Sequence, residues 1–298
     1  MTTESGNAAV PTLNIIGCGQ AAGSLAKLWL QAGAVRVGTI LNRSLPSSER
    51  SVKRVGAGTS VAELPRMESA DCWLIGSGDD QIASIAEALA DSGIDLRHSL
   101  VFHLAGRFGL EVLAPLSGRG TLRAALHPVR SLTLAPLSIS EFRGTACVAE
   151  GSADALERLE PLVNSIGGTW LPVHDIDRGL YHAAVSIVSN VTKGVAWKAQ
   201  NWLVHAGLPE TTASAVTHQL LATTLEDLFR SGARQSITGP VVRGDTRTVE
   251  AHIAALRAAY PADVDVYRVL ARTVLELAQE RGNLEPDALA RFDALLRN

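Results

Sequence analysis

The stretch Leu13-Asn14-Ile15-Ile16-Gly17-Cys18-Gly19-Gln20-Ala21-Ala22-Gly23-Ser24-Leu25-Ala26-Lys27-Leu28-Trp29 decides the fold. It reads as a short apolar strand, a glycine-rich turn and the start of a helix. Gly17, Gly19 and Ala22 fill the pattern G-x-G-x-x-[GA]. In that pattern the first glycine permits a tight turn and the second lets the backbone approach a pyrophosphate. The third small residue lets helix and strand pack closely. A pyrophosphate at this place meets free N–H groups at a helix N-terminus, where the helix dipole favours negative charge. The expected dinucleotide contacts in the loop are Gly17, Cys18, Gly19, Gln20, Ala21 and Ala22. Cys18 reads as a small residue filling the tight turn. The pattern is common by itself, so the flanking chain has to supply its context.

Working outward, a helix over about 21–32 is stopped by Gly33, and a second apolar run, Val35 to Leu41, ends in Asn42-Arg43-Ser44. A chain built for NAD places Asp or Glu near this strand end to accept from the ribose 2′-OH. No carboxylate stands here. Arg43 can meet a 2′-phosphate in a charge-assisted contact, with Asn42 and Ser44 as further donors. The expected cofactor is therefore NADP(H) rather than NAD(H). Ala70 to Gly76 reads as a buried strand, followed by Ser77-Gly78-Asp79-Asp80 and a helix over 81–90. Loops at the carboxyl ends of parallel strands line the ligand crevice, which places Ser77 and Asp79 beside the cofactor. Either Asp79 or Asp80 could cap the helix. Further strand candidates are Ser99 to Gly106, Thr121 to Pro128, Thr145 to Glu150 and Thr169 to Val173, with a helix over 153–166. Strand–helix alternation of this kind specifies a doubly wound, mostly parallel α/β sheet of the Rossmann type. His103 and His127 fall at strand ends and are candidate neighbours of cofactor and substrate.

The chain has 298 residues, 46% hydrophobic and 19% charged, so a large core can form. A net charge of −3 speaks against nucleic-acid binding. No apolar run reaches the roughly 18–20 residues that span a bilayer, and no membrane association is expected. Residues 1–11 are small and polar, without a basic or apolar segment, and read as a disordered tail rather than a secretory signal. Cys18, Cys72 and Cys147 are far apart and no Cys/His group has zinc spacing, so neither a disulfide nor a metal site is expected. A reducing cytoplasm is the simplest compartment.

Composition changes after His174. Residues 12–174 read as the dinucleotide-binding domain and 175–298 as an all-helical domain, with helices over about 177–204, 211–231, 246–259, 264–281 and 286–296. At ~100° per residue, His182, Ser186, Asn190 and Lys193 share one face of the first of these helices. A stripe of small uncharged polar groups on a helix rich in Ala, Val and Ile reads as a cleft wall. The loop Ser236 to His252 displays Thr238, Arg243 and Asp245 between tight glycine turns, with Asp245 or Thr246 placed to cap the next helix.

Gly17-Cys18-Gly19-x-x-Ala22, Asn42-Arg43-Ser44, His127-Pro128, Tyr181-His182-Ala183-Ala184 with Asn190, Thr238-Gly239-Pro240, Arg243-Gly244-Asp245 and His252 look like one set. Together they resemble a family of candidate oxidoreductases with a Rossmann-like N-terminal half and a C-terminal half catalogued as a domain of unknown function. That family is similar in architecture to the 6-phosphogluconate dehydrogenase-like group, which includes ketopantoate reductase, 3-hydroxyisobutyrate dehydrogenase and pyrroline-5-carboxylate reductase. The resemblance implies an NADP-binding domain followed by a helical substrate and dimerisation domain. The chain departs from that group in two places. Lys193 is followed four residues later by Trp197, where the hydroxyacid dehydrogenases carry Asn, and His103 sits in His-Leu-Ala-Gly rather than a more polar turn.

The expected activity is NADPH-dependent hydride transfer to a small oxo acid, ketopantoate-like, or to an imine, in a cleft between the two domains. His182 is the candidate general acid, because a histidine pKa near 6.5 suits neutral pH. Asn190 would orient the carbonyl oxygen, with Ser186 beside it. Arg243 would hold a substrate carboxylate, with Thr238, Asp245 and His127 as further substrate contacts. A homodimer through the Ala- and Leu-rich C-terminal helices fits the resemblance. The alternative is a non-catalytic NADP(H)-binding sensor or regulatory protein.

Overall fold

The computed structural model describes residues 9–133, 135–282 and 284–297. Of the expected tail, residues 1–8 lie outside the described residues. Residues 10 and 11 do not behave as tail. The Arg36 N–H donates to the Pro11 carbonyl (2.9 Å) and Arg36 Nε donates to the Val10 carbonyl (3.3 Å).

The first part of the chain runs β1 (Thr12–Ile16), α1 (Gln20–Gln31), β2 (Arg36–Leu41), α2 (Leu45–Val55), β3 (Thr59–Val61), β4 (Cys72–Ile75), α3 (Ile82–Asp91), β5 (Leu100–His103), β6 (Leu122–Pro128), α4 (Ile139–Phe142), β7 (Ala146–Gly151), α5 (Ala153–Ser165) and β8 (Thr169–Pro172). Eight strands form one sheet in the order β3-β2-β1-β4-β5-β6-β7-β8. Only the β6–β7 pair is antiparallel. The expected doubly wound, mostly parallel sheet is thus what the chain folds into. The strand order reverses between β1 and β4, and the crevice at that reversal is where such sheets take ligands.

The strands are apolar on both faces because helices cover both. In β4, Cys72 and Leu74 join the core under α1 and α5, while Trp73 and Ile75 join the core under α3. Trp29 of α1 is fully buried, meets Phe102 edge-on at 6.0 Å and donates its indole N–H to the Leu162 carbonyl of α5 (2.9 Å). Mid-strand, Asn14 is 2% exposed and satisfied on both sides. Its Nδ2 donates to the Glu68 carbonyl (2.7 Å), and its Oδ1 accepts from the Thr39 N–H (2.8 Å). Opposite it β2 bulges, so that Gly38 and Thr39 together face this one residue. β3 has only three residues, too few to show a period; Ser48 of α2 holds it by donating to the Val61 carbonyl (3.1 Å).

The rest of the chain is helical: α6 (Arg178–Ser186), α7 (Thr192–His205), α8 (Glu210–Ser231), α9 (Ala233–Ser236), α10 (Thr246–Ala259), α11 (Val264–Arg281) and α12 (Pro286–Leu296). The single helix expected over 177–204 is instead two helices joined by a π turn, Ile187–Val191. The chain divides into two compact units, Met1–Val188 and Ser189–Asn298. This division falls inside the π turn, later than the change of composition at His174. The second unit has its own core, built from Val249, Ile253 and Leu256 of α10, Leu275 of α11, and Phe292 and Leu296 of α12. No helix among the described residues is long and apolar enough to cross a membrane.

At the strand-order reversal the two loops touch. A Cβ on Gly76 would lie 2.3 Å from the Ala22 Cβ and 2.7 Å from the Gly17 carbonyl oxygen, all groups that cannot easily yield. Gly76→Ala is expected to destabilise the protein by about 1–3 kcal/mol, as overpacking does. Urea denaturation should show a lower midpoint with an unchanged slope.

Candidate functional site

The glycine loop connects β1 to α1. Gly17 has a positive φ of 81°, and a Cβ there would meet the Ser77 backbone nitrogen at 2.5 Å. Gly19 is different. A Cβ on it would make only an ordinary contact, 3.5 Å from the Gly76 carbonyl oxygen. Nothing in the protein demands glycine at this exposed position, which is what a backbone left bare for a ligand predicts. Gly19 is the N-cap of α1 and offers no side-chain cap, and the first turn carries no acid. The first-turn N–H groups of Gln20, Ala21 and Ala22 have no acceptor within an α-helix. The donor set and the bare backbone fit a dinucleotide pyrophosphate.

Cys18 does not face outward. It is 4% exposed, its N–H donates to Asn42 Oδ1 (2.7 Å), and its carbonyl accepts from Ser51 and Arg54. Burial pushes its thiol pKa up. Asn42, read as a donor to a phosphate, is likewise engaged within the protein. Its Nδ2 donates to the Ser47 carbonyl and to Ser51 Oγ, both at 3.0 Å, so it ties the glycine loop to the strand end. Arg43 and Ser44 are exposed, and Ser44 is the N-cap of α2 with no side-chain cap bond. A cation and a hydroxyl therefore stand at a helix N-terminus, a place that favours an anion.

Ser77 sits against Gly17, and its hydroxyl donates to the Gly78 carbonyl (3.3 Å). Asp79 is exposed and begins a 3-10 turn, Asp79–Gln81, that leads into α3. Neither Asp79 nor Asp80 caps α3, which starts at Ile82 without a side-chain cap. His103 at the end of β5 is fully buried. Its Nδ1 accepts from the Ala105 N–H (3.2 Å), which leaves Nε2 to donate to the Gly109 carbonyl (2.9 Å). Both nitrogens are satisfied, burial holds the pKa low, and the ring shapes the loop after β5 instead of offering an atom to a ligand.

Beyond β5 lies a polar cluster. His103, Ala125 and Glu150 stand in one row across β5, β6 and β7, with His127 two residues along β6 on the same face. Arg178, at the first turn of α6, forms an ion pair with Glu150: Nη2 lies 2.7 Å from Oε2 and Nε donates to the same oxygen at 2.8 Å. Arg178 is 8% exposed, and its Nη1 is buried with no hydrogen-bond partner. One turn on, the Tyr181 hydroxyl lies 2.7 Å from His127 Nδ1. The exposed His182 ring meets the His127 ring edge-on at 6.3 Å. The roles of Arg178, Glu150 and the Tyr181 hydroxyl are not legible in the sequence, because their partners are distant along the chain. No local signal announces a contact spanning 28 or 54 positions.

Ser186 is half-buried four residues after His182 and stays on its face. Asn190 lies in the π turn, whose i→i+5 bonds place an extra residue in the turn and break the constant angle per residue that a regular helical stripe assumes. In the second unit, Val241 is buried and anchors the turn over 238–245 in the helical core. Thr238 and Arg243 are exposed. Asp245 is the N-cap of α10, with Oδ1 accepting from the Thr248 N–H (3.1 Å) and Oδ2 from its hydroxyl (2.6 Å). Those two bonds hold its carboxyl pKa low and commit both oxygens to the cap. Among the described residues no group of three His, Cys, Asp or Glu is placed to hold a metal ion.

Residues 3–128 match the model of a Rossmann-like domain, and residues 145–274 match that of a domain of unknown function, DUF2520. The chain is therefore a Rossmann-like domain followed by a DUF2520 domain. Solved structures share this fold. A candidate NADP oxidoreductase from Bacteroides fragilis is 20% identical, with 89% of this chain and 98% of that one covered and a TM-score of 0.72. A 1-pyrroline-5-carboxylate reductase from Streptococcus pyogenes is 14% identical over 91% of this chain and 98% of its own, with a TM-score of 0.62. An imine reductase from Myxococcus stipitatus, solved in complex with NADP+, is 16% identical over 95% and 99%, with a TM-score of 0.58. At these identities the likeness is one of fold. No curated protein matches the chain.

His127 carries a measurable signature. Burial, then the neighbouring His182 and Arg178, lower its pKa to about 4. An unfolded histidine titrates near ~6.5. Below that pH the unfolded chain binds a proton that the folded chain refuses, so stability falls between about pH 6.5 and 4. His127→Gln should flatten this part of the stability curve, read by urea denaturation at several pH values. An unchanged slope contradicts the assignment.

Proposed function

We propose that the protein is an NADPH-dependent reductase acting on a small oxo acid or imine. The observation that carries this reading is the pairing of the bare, donor-rich glycine loop with Arg43 and Ser44 at the N-terminus of α2, where no carboxylate stands. The imine reductase bound to NADP+ and the pyrroline-5-carboxylate reductases of the same fold support it. Residues 12–174 serve as the dinucleotide-binding part and 175–298 as the substrate-binding and dimerising part. Three free buried thiols suit a reducing cytoplasm.

When bound, NADPH supplies the hydride. Gln20, Ala21 and Ala22 hold the pyrophosphate through backbone N–H groups, with the bare Gly19 letting it approach and Gly17 and Ser77 shaping the loop beneath it. Arg43 and Ser44 hold the 2′-phosphate. His182 gives the proton that the reduced oxygen or nitrogen needs, and its exposure leaves it free to recharge from solvent. Ser186 on the same face orients the reacting group. His127 takes part through the Tyr181 hydroxyl that it holds. Asn190, Thr238 and Arg243 contact substrate, Arg243 through a carboxylate. The cluster of His127, Tyr181 and His182 favours a reductase over a non-catalytic sensor, which has no use for ionisable groups there.

The helical unit leaves much apolar surface uncovered. Trp197 is 63% exposed, Leu220 60% and Phe229 82%. A largely apolar cavity of about 840 Å³ opens between α7, α8 and α10. Exposed apolar side chains grouped on one helical unit mark an interaction surface, and a second copy of the chain is its proposed cover.

Titration should show tighter binding of NADPH than NADH. Arg43→Ala should weaken NADPH about tenfold to a hundredfold, the range for a charged hydrogen bond of ~1.5–3 kcal/mol, and leave NADH unchanged. A preference for NADH overturns the cofactor reading. NADPH oxidation with branched 2-oxo acids and cyclic imines tests the substrate, and His182→Ala should lower turnover on whichever is reduced. Sedimentation should report a dimer that Leu220→Glu with Phe229→Glu converts to monomer.

A further inference from the structure

Arg54 lies in the last turn of α2, 36 positions from the residue it reaches. Its Nη2 donates to the Cys18 carbonyl (2.5 Å) and to the Gly19 carbonyl (2.9 Å). Ser51 adds a second bond to the Cys18 carbonyl (3.2 Å). On the donor side, the Cys18 N–H is taken by Asn42 and the Gly19 N–H by the Gly17 carbonyl (2.9 Å). Each peptide group of the loop is therefore held in one orientation.

A trans peptide is planar, with its C=O and N–H pointing in opposite directions. The Gly19 carbonyl shares a peptide plane with the Gln20 N–H. Drawing that carbonyl toward the Arg54 guanidinium turns the Gln20 N–H away from α2. We propose that Arg54 is a positioning residue of the phosphate loop: by holding the Cys18 and Gly19 carbonyls it keeps the first-turn N–H groups of α1 presented to the dinucleotide pyrophosphate. This rests on the reading of the loop as a dinucleotide site.

Two observations besides the contacts support the assignment. Gly23 sits inside α1, has no positive φ that would call for glycine, and is buried. Glycine within a helix is destabilising relative to alanine, so its presence needs a cause. A Cβ there would lie 2.6 Å from Arg54 Nη2 and 3.0 Å from Nε, so Gly23 makes room for the guanidinium. The second observation is that Arg54 Nε is buried without an acceptor. An unpaired buried donor costs stability, so stability alone is a poor account of an arginine in this place.

Arg54 differs from Arg43 in what it acts on. The loop is common to NADPH and NADH, whereas the 2′-phosphate is not. Titration of the full chain with each cofactor separates the two. Arg54→Met should weaken NADPH and NADH by the same factor, about tenfold, and Arg54→Lys should restore part of the loss. Arg43→Ala should weaken NADPH alone. Gly23→Ala keeps every group of Arg54 but displaces it. It should leave the melting temperature unchanged or higher, weaken both cofactors as Arg54→Met does, and add nothing when the two are combined. Unaltered binding of both cofactors by Arg54→Met and Gly23→Ala overturns the proposal. A loss confined to NADPH also overturns it, by making Arg54 a 2′-phosphate ligand. If the unaltered protein binds neither cofactor, the dinucleotide reading itself falls.

Discussion

Gly17 and Gly76 lie where the loop after β1 presses on the loop after β4, and neither position has room for a methyl group. That close approach is the constraint from which the rest follows. It brings the N-terminus of α1 to the strand-order reversal, with Ala22 packed against Gly76 and Gly17 against Ser77. It also leaves Gly19 as the one loop glycine whose lack of a side chain the protein does not use. Within each compact unit the polar candidates sort by a simple rule: those close to a backbone donor or acceptor are consumed by it. Asn42, Asp245 and His103 each have their side-chain atoms satisfied inside the protein. Arg43, His182 and Arg243, with longer or more exposed side chains, stay in solvent.

The same rule explains what the sequence could and could not tell. Strands apolar on both faces, glycines at turns and i, i+3, i+4 spacing on helices are local signals, and they located seven of the strands and every long helix after α7. β3 escaped because three residues have no period, and its place depends on a serine of α2. A polar stripe on the 177–204 segment assumes a constant angle per residue; His182 and Ser186 lie within α6, where that holds, and the π turn that contains Asn190 breaks the constancy. Asp245 was legible as a cap, and the cap engages both of its carboxylate oxygens. The Arg178–Glu150 pair, the Tyr181–His127 pair and the reach of Arg54 to Cys18 join residues with no common local pattern. They become visible only when the sheet sets its strands side by side.

The sheet itself carries a seam. From β1 to β6 every neighbouring pair is parallel, and β7 then runs antiparallel to β6 while β8 runs parallel to β7. The DUF2520 match begins at residue 145, beside the start of β7, so this last strand pair belongs in sequence with the helices rather than with the dinucleotide fold. Glu150 sits on that added pair, and Arg178 fastens α6 to it. The polar cluster is thus assembled from both family domains, although α6 and all eight strands fall within one compact unit.

Asn14 has a consequence for how reliably the chain reaches this structure. Its amide bonds at once to Thr39, 25 positions away, and to Glu68, 54 positions away, across a bulge that only Gly38 leaves open. Purely apolar strands can slide past one another and still bury their side chains. A slip by one residue here would strand a buried amide between hydrocarbon walls, at a cost of a few kcal/mol. Compact but misaligned states of the central strands are therefore penalised by a single side chain, and the register that lines up the ligand crevice is the one it favours.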